Sequence, residues 1–544
     1  MRRLVTLSLA AGLVLGSCAA ASAQEAMAPI RTVAIGKNRE FVVNGKPFFP
    51  IMGWLQDAGN LPKLKAVGIN CIAGYWRPAD PAEAKGKTAD QYAEQAFEAG
   101  LCFLPPFDPA YADEMKKLKS SPALLAWMQN DEPDMPVTRS NAEVVPGKGV
   151  IVNGSRPLYM MVDGKPDTSA VLDPMTGASF TIKLKAPVTA VALAVQSTTN
   201  PKEAVAKEIA FEAGGKEILK VTLEKKPQLQ KFDLTEPATF QEITVKVLSA
   251  YPEENVWGAI AEVQAFDKDG RNLLLSEPRK EPRESPESVM AKYKALKAFD
   301  PSRPMVMTVT DFFIHDTSLD HWWNRAQQDK LYPQMVKAAD VVGFDDYPIY
   351  GWNLPAKIGR VSQGMDDLRA YAGKDKPVYQ WIECVTGSHE NAAPVTGVEI
   401  RNEVWQAIIK GATAIGYFTH RFKPTFSEFG PSEENQKAMK EINEQITRLT
   451  PVLCAPDAKL QPKIEIEGGL AAQCLAKEAK TGLVIFAQNI DAAGKAGKGT
   501  ISLESLKPGT KIEVVDEDRA LVSEQGKFTD DFGRLAVHIY RVME

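Results

Sequence analysis

The chain has 544 residues, 44% of them hydrophobic and 24% charged, the balance of a soluble globular protein too long for one ordinary domain. Lys and Arg number 64 against 69 Asp and Glu, a formal net charge of −5. Nothing in that balance favours nucleic acid or an anionic membrane surface as a partner.

The N-terminus reads as a targeting segment. Arg2-Arg3 precedes an apolar run over 4–16, and Ala21-Ser22-Ala23 before Gln24 is a small-x-small cleavage signal. Residues 1–23 are expected to be removed from an exported protein, periplasmic or extracellular. Leu15-Gly16-Ser17-Cys18 gives the alternative: it resembles a bacterial lipobox, which would leave a lipid anchor on Cys18. No later stretch reaches the ~18 apolar residues of a membrane span.

From 28 to 135 short apolar runs (48–54, 69–76, 101–106, 124–130) alternate with helical stretches (61–66, 90–99, 110–119). Such alternation implies a parallel sheet covered by helices. Over 145–278 the pattern changes to Thr/Val-rich runs separated by Asp163-Gly164, Gly214-Gly215 and Asp269-Gly270, which predicts an all-β sandwich. Alternation returns over 285–450, with strands at 305–310, 341–347, 378–383 and 414–419. The two alternating segments together hold about the ~250 residues of a (β/α)8 TIM barrel. Residues 455–544 read as a small C-terminal β-sandwich domain. The expected fold class is therefore α/β, a barrel interrupted after strand four by a β-sandwich insert. Loops after barrel strands lie on the catalytic face, so the insert is expected to flank the cleft.

Two apolar runs end on a glutamate with aromatics beside it: Trp127-Met128-Gln129-Asn130-Asp131-Glu132-Pro133 and Val378-Tyr379-Gln380-Trp381-Ile382-Glu383. Carboxyl groups at the C-terminal rim of a barrel suit glycosidic chemistry, in which one protonates the leaving oxygen and the other attacks the anomeric carbon. Retention needs the pair ~5–5.5 Å apart. Trp54, Tyr75, Trp76, Phe107, Trp381 and Phe418 fall near strand ends, where aromatic faces suit the C–H face of a sugar. His315 and His420 are candidate hydroxyl ligands, and Asp311 and Asp108 weaker ones.

The six cysteines have no CxxC or Cys/His spacing, so no metal site is expected. Cys71 and Cys102 lie in apolar runs and read as buried thiols. Cys454 and Cys474 are the pair an oxidising compartment could join. No HExxH, phosphate loop or dinucleotide fingerprint is present, so no cofactor is expected.

On Asn130-Asp131-Glu132-Pro133 and Trp381-Ile382-Glu383 the barrel resembles glycoside hydrolase clan A, with Pro301-Ser302-Arg303-Pro304 and Gly411-Ala412 in familiar places. The resemblance implies Glu132 as acid/base and Glu383 as nucleophile of a retaining hydrolase. It also implies sugar contacts from Asn130 and Asp131, and a bond from Tyr347, in Asp345-Asp346-Tyr347-Pro348, to the nucleophile. One departure is that Asp131 stands where much of the clan has Asn. The insert is similar to galactose-binding, discoidin-type modules at Asp163-Gly164-Lys165-Pro166-Asp167-Thr168 and over 257–267.

The expectation is an exported retaining β-glycosidase with a carbohydrate substrate. Glu132 and Glu383 are its catalytic pair, and Trp54, Trp76, Asn130, Asp131, His315, Tyr347 and Trp381 its binding residues. The alternative is a non-catalytic carbohydrate-binding protein on the same barrel.

Overall fold

A computed structural model describes residues 27–75, 88–139, 142–152, 154–198, 200, 202–251, 255–274, 279–316 and 322–543. The expected leader over 1–23, Cys18 and Trp76 lie outside the described residues. The chain divides into two compact units. One takes the chain up to Asp131 and from Val289 onwards; the other is Glu132–Ser288.

The first unit is built on eight parallel strands. In chain order they are Ile51–Trp54, Cys71–Ala73, Cys102–Leu104, Trp127–Met128, Met305–Thr310, Val341–Asp345, Val378–Glu383 and Ala414–Phe418. Each pairs with the next, and Ile415 of strand eight pairs with Ile51 of strand one. Strands three and four meet through parallel bridges, Phe103–Leu124 and Pro106–Met128. All eight fall inside the apolar runs. Strands five and seven are buried at every position, because helices cover the outside and side chains fill the inside.

Small and large residues alternate across that interior. Gly343 lies in register with Tyr379, and Gly416 with Trp381. A Cβ on Gly343 would sit 2.4 Å from the Tyr379 ring, and one on Gly416 2.2 Å from the Trp381 ring. The glycines are what let these rings lie flat across neighbouring strands. Arg303, just before strand five, donates to the carbonyl of Leu124, in the segment leading into strand four, at 3.0 Å, so the Pro301–Pro304 motif is a structural tie here.

The run expected over 48–54 is broken by Pro50, which brings no N–H to the sheet. The residues before it form an antiparallel meander, Val33–Ile35, Phe41–Val43 and Lys46–Phe48, that turns at Asn44-Gly45 and packs on the barrel interior through Phe41.

The C-terminal residues form a three-stranded and a five-stranded antiparallel sheet around one apolar core, including Ile485, Ile501, Phe528 and Tyr540. They dock on the barrel helices. Trp405 stacks on Phe486 at 5.4 Å, and Asn402 donates to the carbonyls of Asn489 and Leu535. Cys71, Cys102, Cys384, Cys454 and Cys474 are free thiols.

The second unit is antiparallel β. Its two longest strands, Ser179–Ser197 and Gln230–Ala250, pair with each other and break register between Lys183 and Val188. The first half of Ser179–Ser197 pairs with Ala142–Pro146 and the second half with Gly258–Phe266. One core of Phe180, Ile182, Leu193, Phe211, Val245 and Ile260 fills it. A two-stranded stem, Pro136–Arg139 with Arg279–Pro282, brings the unit's two ends together.

Candidate active site

Strand alternation decides what faces the barrel interior. Tyr379 and Trp381 point inward with Met52, Cys71, Met128 and Val306, and Trp54 and Tyr347 pack on the same cluster. Trp54 meets Trp381 edge-on at 5.2 Å. The Thr308 hydroxyl lies 2.7 Å from the Tyr379 hydroxyl and accepts from the Trp381 indole at 3.0 Å. Buried polar tips are thus satisfied within the wall itself. Phe418 extends the wall to Tyr347, with ring centres 5.1 Å apart.

Two carboxylates bear on this wall. Burial raises the Tyr379 phenol well above its ordinary range, and the negative charges of Asp131 and Asp345 raise it further. Asp131 follows strand four and Asp345 ends strand six, both half-buried. Among the sequence candidates, the interior therefore gathers Trp54, Trp381, Tyr347 and Asp131.

Other candidates go elsewhere. His315 turns to the helix Arg360–Ala372, with its ring 3.0 Å from the Tyr371 hydroxyl and 3.2 Å from the Asp367 carboxylate. Asn130 is exposed and accepts from Lys292. His420 contacts the Leu55 carbonyl at 2.7 Å. Phe107 packs on Trp127, and Asp108 caps a short helical turn. Asp311 belongs to a buried charge cluster, in which Arg360 bridges Asp311 at 2.8 Å, Asp316 at 3.1 Å and Asp346 at 3.1 Å.

Glu132 opens the second unit. Its backbone takes a left-handed φ of 46°, rare for a side-chain-bearing residue, and its carboxylate stands 3.8 Å from Arg283.

Glu383 ends strand seven fully buried. Its carboxylate accepts from the backbone N–H of Ile349 at 3.0 Å and from that of Tyr350. Its carboxyl also meets that of Glu403, on the helix Gly397–Ile409, which is fully buried as well. Burial pushes both carboxyl groups up. The sequence reading missed Glu403, although it left a trace: Ile400, Glu403, Val404 and Ala407 share one apolar helical stripe. Asp345 was passed over too, despite ending its strand as Glu383 does.

In the second unit, the motif quoted for the galactose-binding resemblance shapes a loop. Asp163 accepts from Lys165 N–H and the Thr168 hydroxyl, and Glu262 accepts from Gly164 N–H at 3.0 Å.

No protein-family model matches the chain, and no curated protein matches it. Solved structures give partial likenesses. A family 32 CBM from C. perfringens NanJ, solved with galactose, is 14% identical at a TM-score of 0.20, over 24% of this chain and 98% of that one. A CBM32 from a Clostridium perfringens protein, solved with a GalNAc-galactose disaccharide, is 13% identical at 0.21, over 23% and 96%. An α-amylase from Geobacillus thermoleovorans, complexed with acarbose, is 12% identical at 0.33, over 48% and 58%.

Proposed function

We propose that this chain is a carbohydrate-active hydrolase that cleaves β-glycosidic bonds at the C-terminal end of its barrel. The observation that carries the reading is the interior wall of Trp54, Trp381 and Tyr347 beside the Asp131 and Asp345 carboxylates. Sugars offer apolar C–H faces to aromatic rings and hydroxyl donors to carboxylates, and this wall provides for both.

In the proposed reaction Glu132 protonates the leaving oxygen while Glu383 attacks the anomeric carbon. The glycosyl-enzyme is then hydrolysed by water that Glu132 deprotonates, with retention of configuration. The amides of Ile349 and Tyr350 stabilise Glu383 as an anion, and these residues must part from it before a sugar can reach it. Export and removal of residues 1–23 belong to the same proposal.

The complete burial of Glu383 favours a second reading, in which Asp131 and Asp345 carry the chemistry and Glu383 braces the rim. A panel of aryl β-glycosides and oligosaccharides, offered to wild type, Glu383→Gln and Asp345→Asn, separates the two. The first reading expects at least a ~10³-fold loss in Glu383→Gln and a smaller loss in Asp345→Asn. The reverse order establishes the second. Glycan binding without turnover by wild type would make the chain a binding protein and sink both.

A further inference from the structure

Glu403 is a buried carboxyl group without a donor. Neither of its oxygens meets an N–H or O–H of another residue among the described residues, and what it touches is the Glu383 carboxyl. No Lys, Arg or His is paired with either glutamate among the described residues. Two adjacent carboxylates cannot both be ionised in such a place, because each would stand in low dielectric against a like charge. One proton must therefore be shared. Glu383 receives two backbone N–H groups, which stabilise an anion, and Glu403 receives none.

We infer that Glu403 is a neutral acid at pH 7 whose O–H donates to Glu383, making it the positioning residue that holds Glu383 as a carboxylate against Ile349 and Tyr350. Its role in turnover rests on the reading of Glu383 as nucleophile; the place of the proton does not.

The surroundings reinforce the assignment. Cys384, the residue after strand seven, is a buried thiol pushed up by burial and by both glutamates. Asp346, from the end of strand six, is committed to Arg360. Glu399, one turn earlier on the helix, is bound by Thr396 and Arg534. Tyr350 and Tyr417 carry phenols raised by burial and stay neutral. None of these supplies a cation to the pair.

Infrared difference spectroscopy of the full chain at pH 7 tests this without any substrate. Wild type minus Glu403→Gln is expected to show a protonated-carboxyl C=O band, and wild type minus Glu383→Gln no such band. An absent band in the first difference, or its presence only in the second, overturns the inference. A pH series adds an independent arm. The folded pair keeps a proton that the unfolded chain releases in the ordinary glutamate range, so its contribution to stability falls as pH rises above that range. Glu403→Gln is expected to flatten that fall, and an unchanged slope counts against the shared proton. Once a substrate is in hand, Glu403→Gln is expected to keep a larger share of kcat than Glu403→Ala, since the carboxamide N–H still donates. Equal losses would remove the positioning role while leaving the assignment of Glu383 to its own variant.

Discussion

Arg360 is surrounded by Asp311, Asp316 and Asp346, and it is 4% exposed. Removing one partner of a buried ionic cluster leaves uncompensated charge, which costs more than the pair contributed. Arg360→Leu is expected to lower the unfolding free energy by about 3–5 kcal/mol, read from urea denaturation. Glu262, in the second unit, gives a pH signature. Burial, then the charge of Asp163, pushes its carboxyl up to about 8. The folded chain therefore holds a proton that the unfolded chain has lost, and the contribution of Glu262 to stability is greatest below the ordinary glutamate range. That contribution falls as pH rises toward about 8. Glu262→Gln is expected to recover roughly 2–4 kcal/mol at pH 8 and little at pH 4, measured by denaturation at each pH. Equal effects at both would show that Glu262 titrates normally. These environments are not legible in the sequence. Asp311 reads as a rim candidate until Arg360 is seen beside it, and Glu403 reads as one charge among many.

The same limit holds for elements, although their existence is well marked. Apolar runs bounded by helical stretches locate all eight barrel strands, because a strand buried on both faces needs an unbroken apolar segment. Helix starts are written locally too: Thr396 and Glu399 form a capping box at the head of the helix Gly397–Ile409. Pairing is not local. Gly343 and Gly416 carry no signal by themselves, yet each lies beneath an aromatic ring of strand seven. Gly343→Ala and Gly416→Ala are each expected to destabilise the first unit by about 1–3 kcal/mol, by forcing rings off their rotamers. Tryptophan emission should report the shift for Gly416→Ala, whose Cβ meets Trp381 itself. Retained stability and emission would mean that the wall has room to move.

At the scale of the whole molecule, the two units carry separate cores, so unfolding is expected to resolve into more than one calorimetric transition. A single transition would require the units to fold as one. The C-terminal sheets behave differently, because their partners are barrel helices. Ending the chain at Leu453 would strip cover from Trp405 and leave the Asn402 amide without its two carbonyls. Such a truncation is expected to aggregate or to lose several kcal/mol, about 3 or more, checked by solubility and thermal unfolding.

By itself the sequence determined which segments become strands and helices, where the alternating pattern stops and resumes, and which carboxyl and aromatic residues end up near strand ends. Those features follow from periodicity and turn chemistry, which act over a few residues. Only the tertiary structure decided where each of those side chains is directed. Trp54, Trp381 and Tyr347 meet on one wall, His315 turns to a helix, and Glu383 closes on Glu403. Direction and charge state depend on neighbours brought from distant parts of the chain, and a carboxyl group is acid, anion or brace according to the donors that fold places around it.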